Sequence, residues 1–385
     1  MLKFHPLRIA ELQPDADDAV AIALEVPQEL KSEYLGLPGQ HVVLRTELEG
    51  QEERRTYSLI NAPGEWPLRI AARVHENGRM SRHLAEHIKV GDKIDVLPPN
   101  GSLTPRLGKA AQGVASERTY VGFASGCGIT PVLAVAKAVL QADRTNQFIL
   151  FYGNSSTGRV MCLEELLGLK DRYLDRLALH FVMSREPQEV ELYNGRVDAA
   201  RVSELARTVF KADQVAEYFV CGPGDMIEQV TGALRELNVS ADRIHGEHFT
   251  VEAGGGAGAH GAAAGARDAT TGVVAVPAGS GAASQGDGIA VDAVKVTVVM
   301  DGRRRTFSMQ MDDETVLDAA ERAGLDLPFS CRAGVCSTCR TKVISGEVEM
   351  AQNYALEDWE VEQGYVLACQ TRPKTSTLEL DYDEK

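Results

Sequence analysis

Four cysteines near the carboxyl end constrain this 385-residue chain more than any other feature. Cys331, Cys336 and Cys339 are spaced C-x4-C-x2-C, and Cys369 follows after 29 further residues. In a chain with no export signal, clustered cysteines are more typical of metal or cofactor ligands than of disulfides. The fold must therefore bring one tight loop and one distant segment together so that four sulfur atoms meet.

The spacing of these cysteines is that of plant-type [2Fe–2S] sites, and it predicts that all four bind such a cluster. Most residues between the first three are small, so backbone N–H groups can approach the sulfur atoms and influence the reduction potential. Structural zinc is the alternative, although zinc loops usually supply cysteines in two closely spaced pairs. The competing hypothesis from another functional class is therefore a non-catalytic binding protein stabilised by zinc.

The net charge of the chain argues against some classes of binding partner. Acidic side chains outnumber basic ones by 55 to 40, which gives a formal charge of −15. Nucleic acids and anionic membranes both require a basic surface, so neither is expected as a partner. The sequence contains neither an apolar run long enough to span a membrane nor a secretory signal at its amino terminus. We therefore expect a cytoplasmic protein.

The composition changes sharply once along the chain. The 36 residues from 253 to 288 include 11 glycines and 12 alanines and very few large apolar side chains. Such a segment cannot bury enough apolar surface to offset the entropy lost on ordering. It predicts a flexible linker over residues 253–293, which separates the chain into a long amino-terminal part and a short carboxyl-terminal part.

Three patterns of secondary structure predict a multidomain protein. Residues 1–110 carry short alternating strands separated by turn signals, as antiparallel β-barrels do. Residues 111–252 alternate apolar strands with helices, which predicts an α/β domain with a parallel sheet. Residues 294–385 begin with an Asp-Gly hairpin and continue with a capped helix, which predicts an α+β domain.

Three short motifs in the amino-terminal part are compatible with cofactor binding. RTYS at residues 55–58 lies in a strand-like region. GRMS at residues 78–81 opens a predicted helix, where free N–H groups and the helix dipole favour a phosphate. GCGITP at residues 126–131 joins a strand to a helix, where the phosphates of a dinucleotide dock. Taken alone, each motif also fits an ordinary strand or a strand–helix turn.

In this order and spacing, the motifs resemble the ferredoxin–NADP reductase family, and residues 294–385 resemble a plant-type ferredoxin with a β-grasp-like fold. The resemblance implies that Arg55 pairs with the pyrophosphate of FAD, that Tyr57 lies against the isoalloxazine and that Ser58 hydrogen-bonds near its N5. The further flavin contacts that it implies are Thr56, the backbone at Arg73 and Val74, and Gly78, Met80 and Ser81 at the phosphates.

The same resemblance implies a site for NADPH. Its phosphates and nicotinamide would contact Gly126, Gly128, Thr130, Gly222 and Pro223.

Ser184 and Arg185 would hold the 2′-phosphate, because a guanidinium suits a dianionic phosphate in charge and geometry. Tyr193 would stack on the adenine. Cys221 would face the nicotinamide and Phe249 would gate its approach to the flavin, so these two and Ser58 are the predicted catalytic residues. An exposed arginine without a ligand and a small buried thiol without chemistry are the alternatives for Arg185 and Cys221.

The order of the three domains is shared with reductase components of bacterial oxygenases, and the motifs together are similar to the reductase subunits of phenylacetyl-CoA epoxidases. The resemblance implies an electron path from NADPH through FAD and [2Fe–2S] to a di-iron oxygenase of a multicomponent complex, in phenylacetate catabolism. A reductase for another oxygenase, hydroxylase or desaturase is the alternative, as are FMN and NADH as cofactors. The long Gly/Ala segment departs from the shorter connection usual in this family.

Overall fold

The computed structural model describes residues 3–101, 103–105, 118–249, 273–276, 293–310 and 315–384. The chain divides into two compact units, one of residues 4–265 and one formed mainly by residues 266–385. The predicted domain boundaries near residues 110 and 252 lie outside the described residues, as does most of the predicted linker.

The first part of the larger unit is an antiparallel barrel, as its alternating strands predict. Its strands pair in the order β4-β3-β6-β1-β2-β5. Leu59, directly after β4, bridges Ile70 of β5, which brings the two edge strands together. The elements are β1 (His5–Ala16), β2 (Ala19–Glu25), β3 (His41–Leu48), β4 (Gln51–Ser58), β5 (Leu68–Arg73), α1 (Arg79–Glu86) and β6 (Lys93–Asn100).

The second part of the larger unit is a parallel five-stranded sheet with the order β11-β10-β7-β8-β9, which confirms the predicted α/β domain. Because all five strands run in one direction, the loops that follow them meet at one edge of the sheet. The elements are β7 (Thr119–Ser125), α2 (Ile129–Ala142), β8 (Gln147–Asn154), α3 (Leu163–Arg172), β9 (Leu177–Met183), α4 (Ala199–Thr208), β10 (Val215–Gly222), α5 (Gly224–Glu236) and β11 (Ile244–His248).

Buried polar contacts join the barrel to the parallel sheet. Lys137 of α2 is buried, and its Nζ donates to the Ile60 carbonyl at 2.7 Å and to the Glu165 carboxylate. Arg69 of β5 reaches the same carboxylate at 3.0 Å. Side chains from both parts also share one apolar core. The two domains therefore form a single unit rather than two separate bodies.

The smaller unit is built around a mixed sheet with the order β12-β15-β18-β13-β14, and β16 and β17 also pair with β15. Together with its helices it confirms the predicted α+β domain. The elements are β12 (Val273–Val276), β13 (Ala293–Met300), β14 (Arg303–Gln310), α6 (Val316–Arg322), β15 (Arg340–Met350), α7 (Asp358–Glu362), β16 (Tyr365–Leu367), β17 (Thr371–Pro373) and β18 (Thr377–Asp381).

Local signals in this unit behave as the sequence predicts. Asp301 and Gly302 both have positive φ, 54° and 66°, as a two-residue hairpin turn requires. The Thr315 hydroxyl accepts a hydrogen bond from the Asp318 N–H and so caps α6. Gly324, just past the helix, has φ 77°, the conformation of a helix C-cap.

One finding was not expected from composition. Residues 273–276, within the segment predicted to be a flexible linker, form strand β12, which pairs antiparallel with residues 346–349 of β15. The average composition of the Gly/Ala segment concealed this short apolar run. For residues 253–272 and 277–292, which lie outside the described residues, the linker remains a prediction.

Within the part of the chain that the structure describes, no helix has the length and apolar character needed to cross a membrane.

Candidate functional site

The end of β4 carries a buried hydroxyl that the described protein does not satisfy. Ser58 is 3% exposed, and its Oγ has no hydrogen-bond partner among the described residues. A buried hydroxyl in a native protein is normally paired, so a bound group is the natural source of the missing partner. This position fits the flavin atom that the sequence analysis expects beside Ser58.

The other RTYS residues lie along the same strand. Arg55 is 40% exposed at its side chain and contacts Glu53 Oε1 at 2.5 Å and the Arg54 carbonyl at 2.8 Å. Tyr57 packs against the barrel core, with Thr56 between these two on the strand. Arg55 therefore presents a guanidinium at the surface end of the motif, while Tyr57 and Ser58 lie progressively deeper.

The amino terminus of α1 offers a second anchoring point. Gly78 precedes the helix, and no side chain caps it. The first N–H groups of a helix have no acceptor within it, which suits a phosphate. Ser81 Oγ is used locally, because it lies 3.3 Å from the Gly78 carbonyl and 3.2 Å from the His75 N–H. Met80 is fully buried in the barrel core, so it positions the helix through its side chain.

Arg73, the last residue of β5, and Val74, which follows it, lie close to the other domain. The Arg73 guanidinium pairs with the Asp18 carboxylate and donates to the Arg159 carbonyl at 2.9 Å. The Val74 N–H already donates to the Asp18 carbonyl at 2.7 Å. The backbone N–H of Val74 is thus used by the fold itself, and the Arg73 side chain lines a cleft at the edge of the parallel sheet.

That cleft lies where the loops after the parallel strands meet. Gly126 lines it with φ 55°, and Gly128 lies against the next strand so closely that a Cβ atom would be 2.1 Å from the Cys221 carbonyl oxygen. Thr130 Oγ1 donates to the Cys127 carbonyl at 2.9 Å, which closes the turn. The lining residues are Arg73, Ser125, Gly126, Gly153, Asn154, Ser155, Arg159, Ser184, Gly195, Arg196, Val197, Pro223 and Met226.

The predicted 2′-phosphate residues are only partly gathered at the cleft. Ser184 lines it, whereas Arg185 is absent from its lining and donates its backbone N–H to the Ser155 carbonyl. The Tyr193 hydroxyl lies 2.8 Å from His180 Nδ1. Two cations that the sequence analysis missed, Arg159 and Arg196, do line the cleft. Both follow parallel strands, so the rule that loops after such strands converge could have found them.

Two of the predicted catalytic residues, Ser58 and Cys221, lie on strands that flank a contact between the two domains. Ser58 of β4 lies opposite His41 of β3 in the barrel, and Cys221 of β10 lies beside Glu247 of β11 in the parallel sheet. His41 is 1% exposed, and its Nδ1 lies 3.5 Å from Glu247 Oε1. Gly222 and Pro223 continue from Cys221 to the cleft. Through this His41–Glu247 contact, which the sequence analysis did not anticipate, the ends of β4 and β10 are brought together.

The Cys221 thiol is completely buried. Burial raises its pKa well above the ordinary value, and the nearby Glu247 carboxylate adds to the effect, so the thiol stays neutral. Phe249, two residues past Glu247, is partly buried against the apolar core that spans the two domains. The junction therefore carries a neutral, compact thiol and an aromatic ring.

The four predicted cluster ligands converge in the smaller unit. The thiol of Cys331 lies next to those of Cys336 and Cys369, and the thiol of Cys369 also lies next to that of Cys339. The interaction with Cys336 lowers the pKa of Cys331, but the interaction with Cys369 and burial outweigh it and raise the pKa overall. Iron binding must therefore displace protons from this group of thiols.

The four thiols are neighbours in the order Cys336, Cys331, Cys369 and Cys339. Among the described residues, no three His, Cys, Asp or Glu side chains are grouped as ligands of one metal ion. A [2Fe–2S] cluster distributes four cysteines over two irons, and four neighbouring thiols supply that number of ligands.

The loop around the first three cysteines has an unusual backbone. Arg332, Gly334 and Ser337 all have positive φ, between 50° and 74°. This conformation turns N–H groups inward, and the Ala333 N–H donates to Cys331 Sγ at 3.3 Å. The Tyr354 N–H donates to the Gly334 carbonyl at 3.0 Å and holds the loop from outside. The loop is thus shaped to surround sulfur with donors.

Three family models match the chain in the order of its domains. A model of an oxidoreductase FAD-binding domain matches residues 13–104, and one of an oxidoreductase NAD-binding domain matches residues 123–232. A model of a 2Fe-2S iron-sulfur cluster binding domain matches residues 298–374. The last match supports the cluster over the zinc alternative.

Curated relatives extend over the whole chain. A subunit of the 1,2-phenylacetyl-CoA epoxidase of Escherichia coli K12 is 36% identical over 100% of this chain and 99% of its own length. The ferredoxin reductase component of 3-ketosteroid-9-alpha-monooxygenase from Mycobacterium tuberculosis H37Rv is 30% identical over 98% of this chain and 96% of its own. This chain belongs to the ferredoxin reductase family with a carboxyl-terminal [2Fe–2S] domain.

The reductase also shares its fold with solved structures. Phthalate dioxygenase reductase, with a TM-score of 0.53 and 21% identity, covers 98% of both chains. The predicted fold class and the predicted enzyme class, an NAD(P)H-dependent oxidoreductase that transfers electrons through FAD and [2Fe–2S] domains, are confirmed. Relatives that serve oxygenases support an oxygenase as the partner of the reductase.

Replacing Gly128 with Ala tests the close approach at the nucleotide cleft. The new Cβ would meet the Cys221 carbonyl, so α2 must shift and nucleotide affinity should fall by about tenfold or more, in line with an overpacking cost of about 1–3 kcal/mol. Gly168→Ala is the matched control, since a Cβ there meets nothing within 4 Å. Titration of the reductase with NADPH measures both. Equal affinities in the two variants would contradict the packing argument.

Replacing Gly334 with Ala tests the cysteine loop. Gly334 has φ 74°, and a Cβ would lie 2.8 Å from the Gln352 carbonyl oxygen. Gly302→Ala is the control, because Gly302 has φ 66° but open space around it. Both variants carry the cost of a positive φ, about 1–2 kcal/mol, and only Gly334→Ala adds a clash. We expect iron and sulfide per chain to fall in Gly334→Ala alone, and equal cluster content would refute the role of Gly334.

Proposed function

We propose that this reductase takes electrons from NADPH and delivers them to the di-iron oxygenase component of a phenylacetyl-CoA epoxidase, within phenylacetate catabolism in the cytoplasm. The observation that carries the choice of partner is the similarity to the Escherichia coli epoxidase protein, which extends over the whole of both chains. The 3-ketosteroid monooxygenase reductases match over almost the same length at lower identity, so a steroid hydroxylase is the second candidate.

In this proposal the barrel holds FAD. Ser58 supplies its unpaired hydroxyl to the flavin near N5, and Tyr57 lies against the ring. Arg55 exchanges its contact with Glu53 for the pyrophosphate, because a charge-assisted bond to phosphate is stronger than a half-exposed ion pair. The open helix start at Gly78 to Ser81 binds a phosphate through its backbone, and the remaining contacts are Thr56 and the backbone around Arg73 and Val74.

The parallel sheet holds NADPH in this proposal. Gly126, Gly128 and Thr130 shape the turn for its phosphates, while Gly222 and Pro223 border the nicotinamide.

Ser184 and Arg185 contact the 2′-phosphate, with Tyr193 beside the adenine. Arg185 does not line the cleft, but its side chain is exposed. Its backbone N–H is bonded to the Ser155 carbonyl in the loop after β8, so Arg185 belongs to the same group of loops as the cleft. Cys221 excludes water beside the nicotinamide as a neutral thiol, and Phe249 covers the flavin until NADPH enters.

Cys331, Cys336, Cys339 and Cys369 hold the cluster as thiolates. When bound, the flavin accepts electrons in pairs and releases them singly to the one-electron cluster, so the protein's task is to position the groups and set their potentials. No general acid or base is required of the chain. This agrees with a site whose thiol is neutral and whose His41–Glu247 contact is buried.

The partner is tested by reconstitution. The reductase, NADPH and oxygen are combined with purified phenylacetyl-CoA epoxidase oxygenase or with 3-ketosteroid oxygenase, and product from each substrate is measured. We expect epoxide formation from phenylacetyl-CoA to exceed steroid hydroxylation by at least about tenfold. Cys336→Ser should lose both reactions but retain most reduction of ferricyanide by NADPH, because the flavin alone serves that acceptor. If more product forms with the steroid oxygenase than with the epoxidase oxygenase, the choice of partner is reversed.

Coenzyme preference is tested at Arg185. Loss of a charge-assisted hydrogen bond costs about 1.5–3 kcal/mol, so Arg185→Ala should raise the KM for NADPH by about tenfold or more and leave that for NADH nearly unchanged. Arg196→Ala and Arg159→Ala, which alter cations in the cleft, are compared in the same assay, with the exposed Arg207→Ala as control. If NADPH preference follows Arg196 or Arg159 instead, the assignment of Arg185 is wrong.

A further inference from the structure

Gln370, the residue that follows Cys369, places its side-chain amide against the sulfur atom of that cysteine. Its Nε2 lies 3.7 Å from Cys369 Sγ and 2.9 Å from the Arg332 carbonyl oxygen. A glutamine amide nitrogen carries two hydrogens, so it can donate to both acceptors at once. One side chain thus links the distant cysteine to the loop that contains the other three.

The backbone of Gln370 is fixed independently of this contact. Its N–H donates to the Leu367 carbonyl at 2.8 Å, and its carbonyl accepts a hydrogen bond from the Ala351 N–H at 2.9 Å. The residue is partly buried, and its Cγ would lie 3.2 Å from a Cβ placed on Gly334. The side chain of Gln370 therefore lies across the cysteine loop, where the glycine at position 334 leaves room for it.

The acceptor on the cysteine loop is anchored as well. Arg332 has φ 53°, and its guanidinium pairs with Asp318 and Glu321 of α6 at 2.9 Å and 2.6 Å. Because both ends of the link are held, the second N–H of the Gln370 amide keeps its direction toward Cys369. Cys369 is 4% exposed, and a hydrogen bond away from water is electrostatically stronger. As a thiol the sulfur is a weak acceptor, and as an iron-bound thiolate it is a charged and stronger one.

We propose that the Gln370 amide donates a hydrogen bond to Cys369 Sγ in the holoprotein and thereby raises the reduction potential of the [2Fe–2S] cluster. The electron that the cluster accepts adds negative charge to its sulfur ligands, so a donor beside one of them stabilises the reduced state more than the oxidised state. The proposal rests on the four-cysteine ligand set proposed above. Gln370 acts through Cys369 and is a positioning residue that sets how readily the cluster accepts an electron.

The test is a redox titration of the holoprotein carrying Gln370→Met, followed by the absorbance and the EPR signal of the reduced cluster. Methionine keeps an unbranched side chain but cannot donate a hydrogen bond. Its loss should lower the ratio of reduced to oxidised cluster at a fixed potential by about two- to fivefold, the lower part of the range for one hydrogen bond because the bond is long. Gln363→Met is the matched control, since Gln363 is an exposed glutamine of the same unit, at the end of α7. Iron and sulfide are counted in each preparation.

A more negative potential in Gln370→Met alone, with two irons retained, supports the proposal. An unchanged potential, or the same change in Gln363→Met, overturns it while leaving the ligand set intact. If Gln370→Met fails to hold the cluster, pulsed EPR of the reduced, unaltered holoprotein decides, with ¹⁵N introduced at the side-chain amides of glutamine. A magnetic coupling between amide nitrogen and the cluster supports the hydrogen bond, and no coupling overturns it. An unaltered protein that binds no iron would instead refute the ligand set.

Discussion

The barrel and the parallel sheet depend on buried charges that meet at their junction. Lys137 of the parallel-sheet domain places an ammonium group against the Ile60 carbonyl of the barrel and the Glu165 carboxylate. Arg73 of the barrel donates to the Arg159 carbonyl of the parallel-sheet domain at 2.9 Å. Removing one partner of such a buried pair typically costs about 3–5 kcal/mol, because the other charge is left uncompensated. These contacts hold the barrel and the parallel sheet together as one unit.

The ferredoxin unit meets a different requirement, which is to surround sulfur with donors while keeping water away. Three residues of the cysteine loop adopt positive φ, and two of them, Arg332 and Ser337, are not glycine. Such residues are held by their surroundings: Arg332 pairs with Asp318 and Glu321 of α6.

Much of this could be read from the sequence because the signals were local. The cysteine spacing, the Asp-Gly hairpin and the glycines at positions 126 and 128 each reflect a backbone requirement that few other residues meet. Arg159 and Arg196 carry no local signal and could be found only from the rule that loops after parallel strands converge. The His41–Glu247 contact could not be read at all, because it depends on which strands of the two domains become neighbours. Arg185 illustrates the limit: its motif is clear in sequence, yet its side chain is absent from the lining of the cleft.

Strand β12 illustrates a further limit and has a practical consequence. A short apolar run inside a Gly/Ala segment pairs with residues 346–349 and covers that stretch of the backbone of β15. Excising the ferredoxin unit at residue 293 would leave those N–H and C=O groups bare, and bare strand edges recruit other chains. A fragment that begins before residue 273 retains β12, which pairs with this edge of β15. The choice of cut site thus decides whether the isolated unit stays monomeric or self-associates.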